Sequence, residues 1–149
     1  MTIRRACEAD VEVIAQNNHA MAKESEGLEL SMDTLRLGSE AVLKDPAKGV
    51  FFLLEVEGKV VSQLMITYEW SDWRNAQIWW VQSVYTLPSH RRQGHYRRLY
   101  QHVRDLCKAE GAGGIRLYAD ASNVRAHATY EALGMSSHYK VFEEEFIRL

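Results

Sequence analysis

Apolar residues recur along the chain in two rhythms, one with a period of two and one near 3.6, and their order predicts the elements. Thr2–Arg5 reads as a short first strand. Asp10 stands where a helix cap would, ahead of Val13, Ile14, Asn17 and Met21 on one face, so a helix is predicted to about Lys23. Glu24–Leu30 reads as a loop or the opening of a second helix. Ser31 is placed to cap Met32–Leu43, which Asp45-Pro46 stops. Val50–Val56 is apolar, Glu57-Gly58 is a two-residue turn signal, and Lys59–Trp70 is again extended, which together predict a hairpin. Ser71–Ala76 is polar and turn-like. Gln77–Tyr85, crowded with Trp and Val, predicts a strand buried on both faces.

The pattern then changes. Leu87–Gly94 is a loop holding Pro88, and Tyr96–Ala109 is a helix with Leu99, Val103 and Leu106 on one stripe. Gly111–Gly114 ends that helix. Ile115–Ala119 predicts a strand, Asn123–Leu133 a helix closed by Gly134, and Ser136–Ile147 an extended tail. The order is β-α-α-β-β-β-α-β-α-β, a mixed α/β sheet.

A chain of 149 residues without repeat or linker suits one domain, 1–149, with one core. The formal net charge of −2 gives no bulk attraction to nucleic acid or anionic membrane. No apolar run approaches the ~20 residues that cross a bilayer. Cys7 and Cys107 are far apart, outside metal-ligand spacing, and read as core filler. Without a leader pattern either, a reducing cytoplasm is the expected location. His90, His95 and His102 lack carboxylate or cysteine partners at metal spacing, so no metal site is expected.

The chemistry concentrates in Val84–Tyr96 (VYTLPSHRRQGHY), where a buried strand runs through a basic, glycine-containing loop straight into a helix. Such a junction is an anion site: the first helical N–H groups lack intrahelical partners, and the helix dipole adds about half a positive charge there. Gly94 lets the backbone close on a phosphate, and Arg91 and Arg92 can add charge-assisted hydrogen bonds. The arrangement suits a diphosphate. By itself the Arg-Arg-x-Gly run is equally a solvated surface loop; the flanking strand and helix favour the phosphate reading.

Val84, Thr86, Pro88, Arg91, Arg92 and Gly94 fall in register on the central motif of the GCN5-related N-acetyltransferase family, and the chain resembles that family here. A second segment, Asn123–Met135, resembles the family's Asn-x-x-Ala-x-x-x-Tyr-x-x-x-Gly-hydrophobic pattern through Asn123, Ala126, Tyr130 and Gly134. The resemblance covers the C-terminal half and implies the family fold: a mixed, mostly antiparallel sheet flanked by helices and splayed between strands four and five. It implies acetyl-CoA as co-substrate, with pantetheine contacts at Val84, Tyr85 and Thr86. Diphosphate contacts are implied from the amides of Arg91, Arg92, Gln93, Gly94, His95 and Tyr96. Asn123, Ala126 and Tyr130 are expected along the sulfur-bearing arm, with Tyr130 as the acid for the leaving thiolate. Tyr96 replaces the motif's second small residue, so its side chain must turn away from the diphosphate or reshape the loop.

The resemblance further implies direct attack of an amine on the thioester, with the carbonyl oxygen served by a backbone N–H near Val84–Thr86. The strand-four glutamate of some family members is Trp80 here. Deprotonation is left to another group, a water chain or an acceptor that arrives neutral. Glu69 is the first candidate, and its apolar neighbours would make it base-like if they bury it; otherwise it is a solvated edge carboxylate. Glu24, Glu26, Glu69 and Asp72 can form an acidic acceptor pocket, walled by Trp70, Trp73 and Trp80. The acceptor, a small molecule or peptide, is not legible. Two rival readings stand beside this one: a CoA-binding regulator without turnover, and a nucleic-acid module using His90–Arg98. Exposed edge strands would also allow a homodimer.

Overall fold

The computed structural model describes residues 1–149, which form two compact units, Met1–Arg116 and Leu117–Leu149. In the first, strands β1 (Thr2–Arg5), β2 (Val50–Val56), β3 (Lys59–Ser71), β4 (Ala76–Thr86) and β5 (Gly114–Arg116) lie side by side in sequence order. All pairings are antiparallel except β4 with β5. Helices α1 (Val11–Glu26) and α2 (Met32–Lys44) pack over one face, and α3 (His95–Ala109) belongs with the other. The fold is thus a mixed α+β sheet with flanking helices, as expected.

The core follows from strand alternation. Phe51 and Leu53 of β2 pack with Ile14 of α1, joined by Val13, Val42 and Met65. Phe52 points the opposite way and meets the ring of His102 on α3, with ring centroids 5.8 Å apart. On α3, Leu99 and Val103 are buried in the predicted stripe, with Cys107 on the adjoining flank. Cys107 is therefore core filler, whereas Cys7 is exposed, contrary to expectation. The β2–β3 turn has both central residues in the left-handed region, Glu57 at φ 52° and Gly58 at 76°, the twist that a two-residue hairpin needs.

Several boundaries differ from the sequence reading. Helix α1 continues through Glu24 to Glu26, where Gly27 (φ 65°) closes it by donating to the Ala22 and Lys23 carbonyls. Ser31 does cap α2, its hydroxyl accepting from the Thr34 amide. Asp10 makes no side-chain cap for α1; its carboxylate takes two hydrogen bonds from Arg4, at 2.8 and 2.9 Å, and one from the Cys7 amide. A nearby guanidinium outcompetes a neutral helix N–H for a carboxylate.

Two features of β4 shape what lies beyond it. The β4–β5 ladder runs only from Ile78 to Trp80, so the last part of β4 continues past the end of that pairing. On the β3 side, Gln63 pairs with Tyr85 and Met65 with Gln82, so three steps on β4 match two on β3. This is a β-bulge at Ser83, whose φ is 51°.

In the second unit, α4 (Val124–Ala132) is capped by Asn123, whose side chain accepts from the Ala126 amide at 3.1 Å. Gly134 (φ 88°) ends it, with the Met135 amide bonded to the Tyr130 carbonyl. The expected extended tail forms no strand, since residues 136–147 enter no ladder. Phe142, Phe146 and Ile147 on it are exposed.

Candidate functional site

The strand–loop–helix junction is built as its residues dictate. Pro88–His90 forms one 3-10 turn after β4, and the chain then passes through Arg92 (φ 63°) and Gly94 (φ 79°) before α3 begins. A left-handed residue followed by a helical one makes successive N–H groups converge, a local anion seat. Gly94 is the residue before the helix and offers no side-chain cap, so the first N–H groups of α3 depend on another acceptor. Space alone would admit a Cβ at Gly94, whose nearest neighbour is Arg98 Nη1 at 3.5 Å. It is the positive φ that calls for glycine there.

Side chains knit the loop. Arg98 donates to the Gln93 carbonyl at 2.9 Å, reaching back from the first turn of α3. Gln93 Oε1 meets His95 Nε2 at 3.2 Å. His95 is buried, and burial, then Arg98 and His90, push its pKa below the ordinary value, so it stays neutral at pH 7. The Tyr96 ring lies beside that of Tyr100, one turn further along α3, at 6.3 Å between centroids.

Arg91 behaves differently from the expectation that it reaches phosphate through its side chain. Its guanidinium donates to the Thr86 carbonyl at 2.9 Å and to Glu24 Oε2 at 2.7 Å, and it lies over the Tyr85 ring at 5.4 Å. The Tyr85 hydroxyl donates to Glu24 Oε1 at 2.9 Å. Arg91, then the Tyr85 bond, hold Glu24 below the ordinary carboxylate range, against burial. Burial and Glu24 push Tyr85 up. Arg92 and Arg97 are exposed.

The expected acceptor residues do not converge on one pocket. Glu24 sits beside Tyr85, whereas Glu69 pairs across the sheet with Ile78, seven residues back along β4. At ~3.3 Å per residue that is roughly 23 Å. Glu26 is exposed at the end of α1. Glu69 and Trp80 do share a face: Trp80 Nε1 donates to Glu69 Oε1 at 2.9 Å, and Arg116 of β5 donates to Oε2 at 3.1 Å. The Glu69 side chain is 45% exposed and ion-paired, so the apolar burial that would make it base-like is not met. Trp70, next to Glu69 in the strand, faces the other way. With Tyr68, Gln77, Trp79 and Glu110 it lines a cavity of about 750 Å³. That cavity adjoins the C-terminal end of α3, a helix length of roughly 22 Å from the loop at its start. Trp73 is fully out in solvent at the hairpin tip. No group of three or more His, Cys, Asp or Glu side chains is placed to hold a metal ion.

In the second unit, Asn123 and Ala126 meet at the start of α4, and Tyr130 is half-buried on the same helix. His127 Nε2 donates to the Asp120 carbonyl at 2.9 Å, and Ser122 donates to the Asp120 carboxylate, which fixes the turn ahead of α4.

Sequence reasoning missed three participants. Gln63 and Asn18 are buried polar side chains beneath the Ser83 bulge, and Arg116 is the cation against Glu69. A glutamine inside the apolar run Val60–Ile66 was the available signal for the first. Arg116 had none.

The family model for the acetyltransferase (GNAT) family matches residues 7–135. Among solved structures, a possible acetyltransferase from Clostridium difficile 630 is 44% identical, with a TM-score of 0.92 over 99% of this chain and 98% of that one. A ribosomal-protein-alanine N-acetyltransferase from Brucella melitensis biovar Abortus 2308 is 16% identical, with a TM-score of 0.80 over 97% and 98%. An aminoglycoside acetyltransferase from an uncultured soil metagenomic sample is 18% identical, with a TM-score of 0.76 over 98% of each chain. The last two likenesses concern the fold alone. A search of curated proteins gives no match.

Proposed function

This chain belongs to the acetyltransferase (GNAT) family, and on that premise we propose that it transfers an acetyl group from acetyl-CoA to a primary amine by direct attack. One observation carries the cofactor half of the reading. Helix α3 starts from a left-handed glycine with no side-chain cap, at the end of the loop that follows a bulged strand whose ladder to β5 has ended. Unsatisfied N–H groups at a positive helix end, with Arg92 and Arg97 exposed alongside, suit a diphosphate. The edge of β4 beyond Trp80 suits an extended amide-bearing arm such as pantetheine.

In this reading the backbone near Ser83–Thr86 donates to the thioester oxygen as charge develops on it. The amine nitrogen forms its bond to the carbonyl carbon, the C–S bond breaks, and the thiolate takes a proton. Tyr130 is assigned that proton transfer on the family's motif. Glu69 is the carboxylate on the Trp80 face and is assigned the amine's proton through a chain of water, since it stands well back along β4 from Ser83. Arg116 keeps Glu69 oriented beside Trp80.

Titration calorimetry with CoA, followed by acetyl-CoA consumption over a panel of amines, amino acids and peptides, tests the proposal. Saturable CoA binding and amine-dependent thiol release are expected. Binding without transfer to any amine would favour a CoA-binding regulator, and no binding by folded protein would remove the reading.

A further inference from the structure

Gln63 is fully buried in the middle of β3, where an unpartnered amide would cost several kcal/mol. It is instead fully committed. Its Nε2 donates to Asn18 Oδ1 at 3.0 Å and to the Ser83 carbonyl at 3.0 Å, and its Oε1 accepts from Asn17 Nδ2 at 3.1 Å. Asn17 and Asn18 are neighbours on α1, and both are buried. One side chain thus ties α1, through two residues, to a single backbone carbonyl on β4.

That carbonyl belongs to the bulge. Ser83 holds φ 51° without being glycine, a conformation costing ~1–2 kcal/mol that persists only where its surroundings hold it. The Gln63 amide is such a holder. In a trans peptide the C=O and the following N–H point in opposite directions. With the Ser83 C=O fixed on Gln63, the Val84 N–H is aimed away from the Gln63 amide. The β4–β5 ladder stops at Trp80, so β5 does not pair with β4 at Val84.

We infer that Gln63 is a positioning residue for acyl transfer: it locks the Ser83–Val84 peptide so that the Val84 N–H is presented to the thioester oxygen. Asn17 and Asn18 fix the Gln63 amide in the one orientation that donates to Ser83. The inference rests on the acetyl-transfer reading and adds to it a residue that touches neither substrate. A transition-state donor held by a buried network needs no reorganisation when charge develops, which is where its catalytic value lies.

The test is Gln63→Met, which keeps the volume and removes both donors. Wild type and variant are compared by CoA calorimetry, by kcat with the best amine of the panel, and by the carbonyl stretch of bound acetyl-CoA labelled with carbon-13 at C1. CoA affinity is expected to stay within about threefold, because the loop at Gly94 is untouched, while kcat falls at least about tenfold. The bound carbonyl band should move toward its free-solution frequency, a change that a merely structural role would not produce. An unmoved band, or an unchanged kcat, in folded variant overturns the inference. Should Gln63→Met not fold, Gln63→Asn keeps the amide, shortens its reach by one carbon, and is read in the same way. If wild type binds CoA and transfers acetyl but the variant matches it, only the role of Gln63 fails. If wild type does neither, the acetyl-transfer reading fails and this inference goes with it.

Discussion

Glu24 and Arg91, sixty-seven positions apart, meet at 2.7 Å and join the last turn of α1 to the first residue of the phosphate-type loop. Because Arg91 also holds the Thr86 carbonyl and covers Tyr85, its side chain orients the loop from behind. An ion pair this exposed is worth roughly 0.2–1 kcal/mol, so Glu24→Gln should weaken CoA binding by no more than about fivefold. Calorimetry checks this. Tighter binding would mean that Glu24 competes with phosphate for Arg91, the reverse of the role assigned.

Gly94→Ala should cost about 1–2 kcal/mol of stability, because φ 79° is unfavourable for any L side chain even with room for the methyl. It should also weaken CoA binding, since relief of that strain moves the first amides of α3. Urea denaturation and calorimetry measure the two effects. Unaltered affinity would separate the glycine from the anion seat.

Asp10 gives a pH-dependent contribution to stability. Its hydrogen bond to Arg4 lowers the pKa from 3.8 to about 2. A carboxyl whose folded pKa lies below its unfolded value stabilises above the unfolded value and loses that stabilisation as pH falls through the folded one. The contribution is about 2 kcal/mol at neutral pH, lost between about pH 4 and pH 2. Asp10→Asn should therefore be less stable than wild type by about that amount at pH 7, and the difference should shrink toward pH 2. A difference that does not change with pH would contradict the assignment.

Glu69→Gln should lower amine-dependent turnover on the order of a hundredfold near neutral pH. The deficit should narrow at alkaline pH, where the acceptor arrives already neutral. The pH–rate profiles of both proteins decide it; superimposable profiles would clear Glu69 of proton transfer and leave it a partner for Trp80 and Arg116.

Tyr130→Phe should reduce kcat on the order of a hundredfold and leave CoA affinity within error, as expected for a group acting on the leaving thiolate. A thiol ester with a more acidic thiol should rescue the variant. Equal rates for the two proteins would dismiss the hydroxyl as the acid.

Local chemistry was legible before any coordinates. The Ser31 cap, the Glu57-Gly58 turn and the β4–loop–α3 junction with Gly94 all depend on residues a few positions apart. Their physics is short-range, so spacing suffices. Even the opposition of Glu69 and Trp70 was implicit, since adjacent strand residues face opposite ways.

What the amino-acid order determined by itself was the kind and succession of elements and the strand–loop–helix junction between β4 and α3. Tertiary structure alone decided which side chains meet. It turned Arg91 to Glu24 and Asp10 to Arg4, set Arg116 against Glu69, and placed Gln63 between Asn17, Asn18 and the Ser83 carbonyl. Each of those partnerships depends on register and on helix placement over the sheet. A single-residue bulge at Ser83 resets which residues of β4 share a face, and no local propensity signals a bulge at a serine.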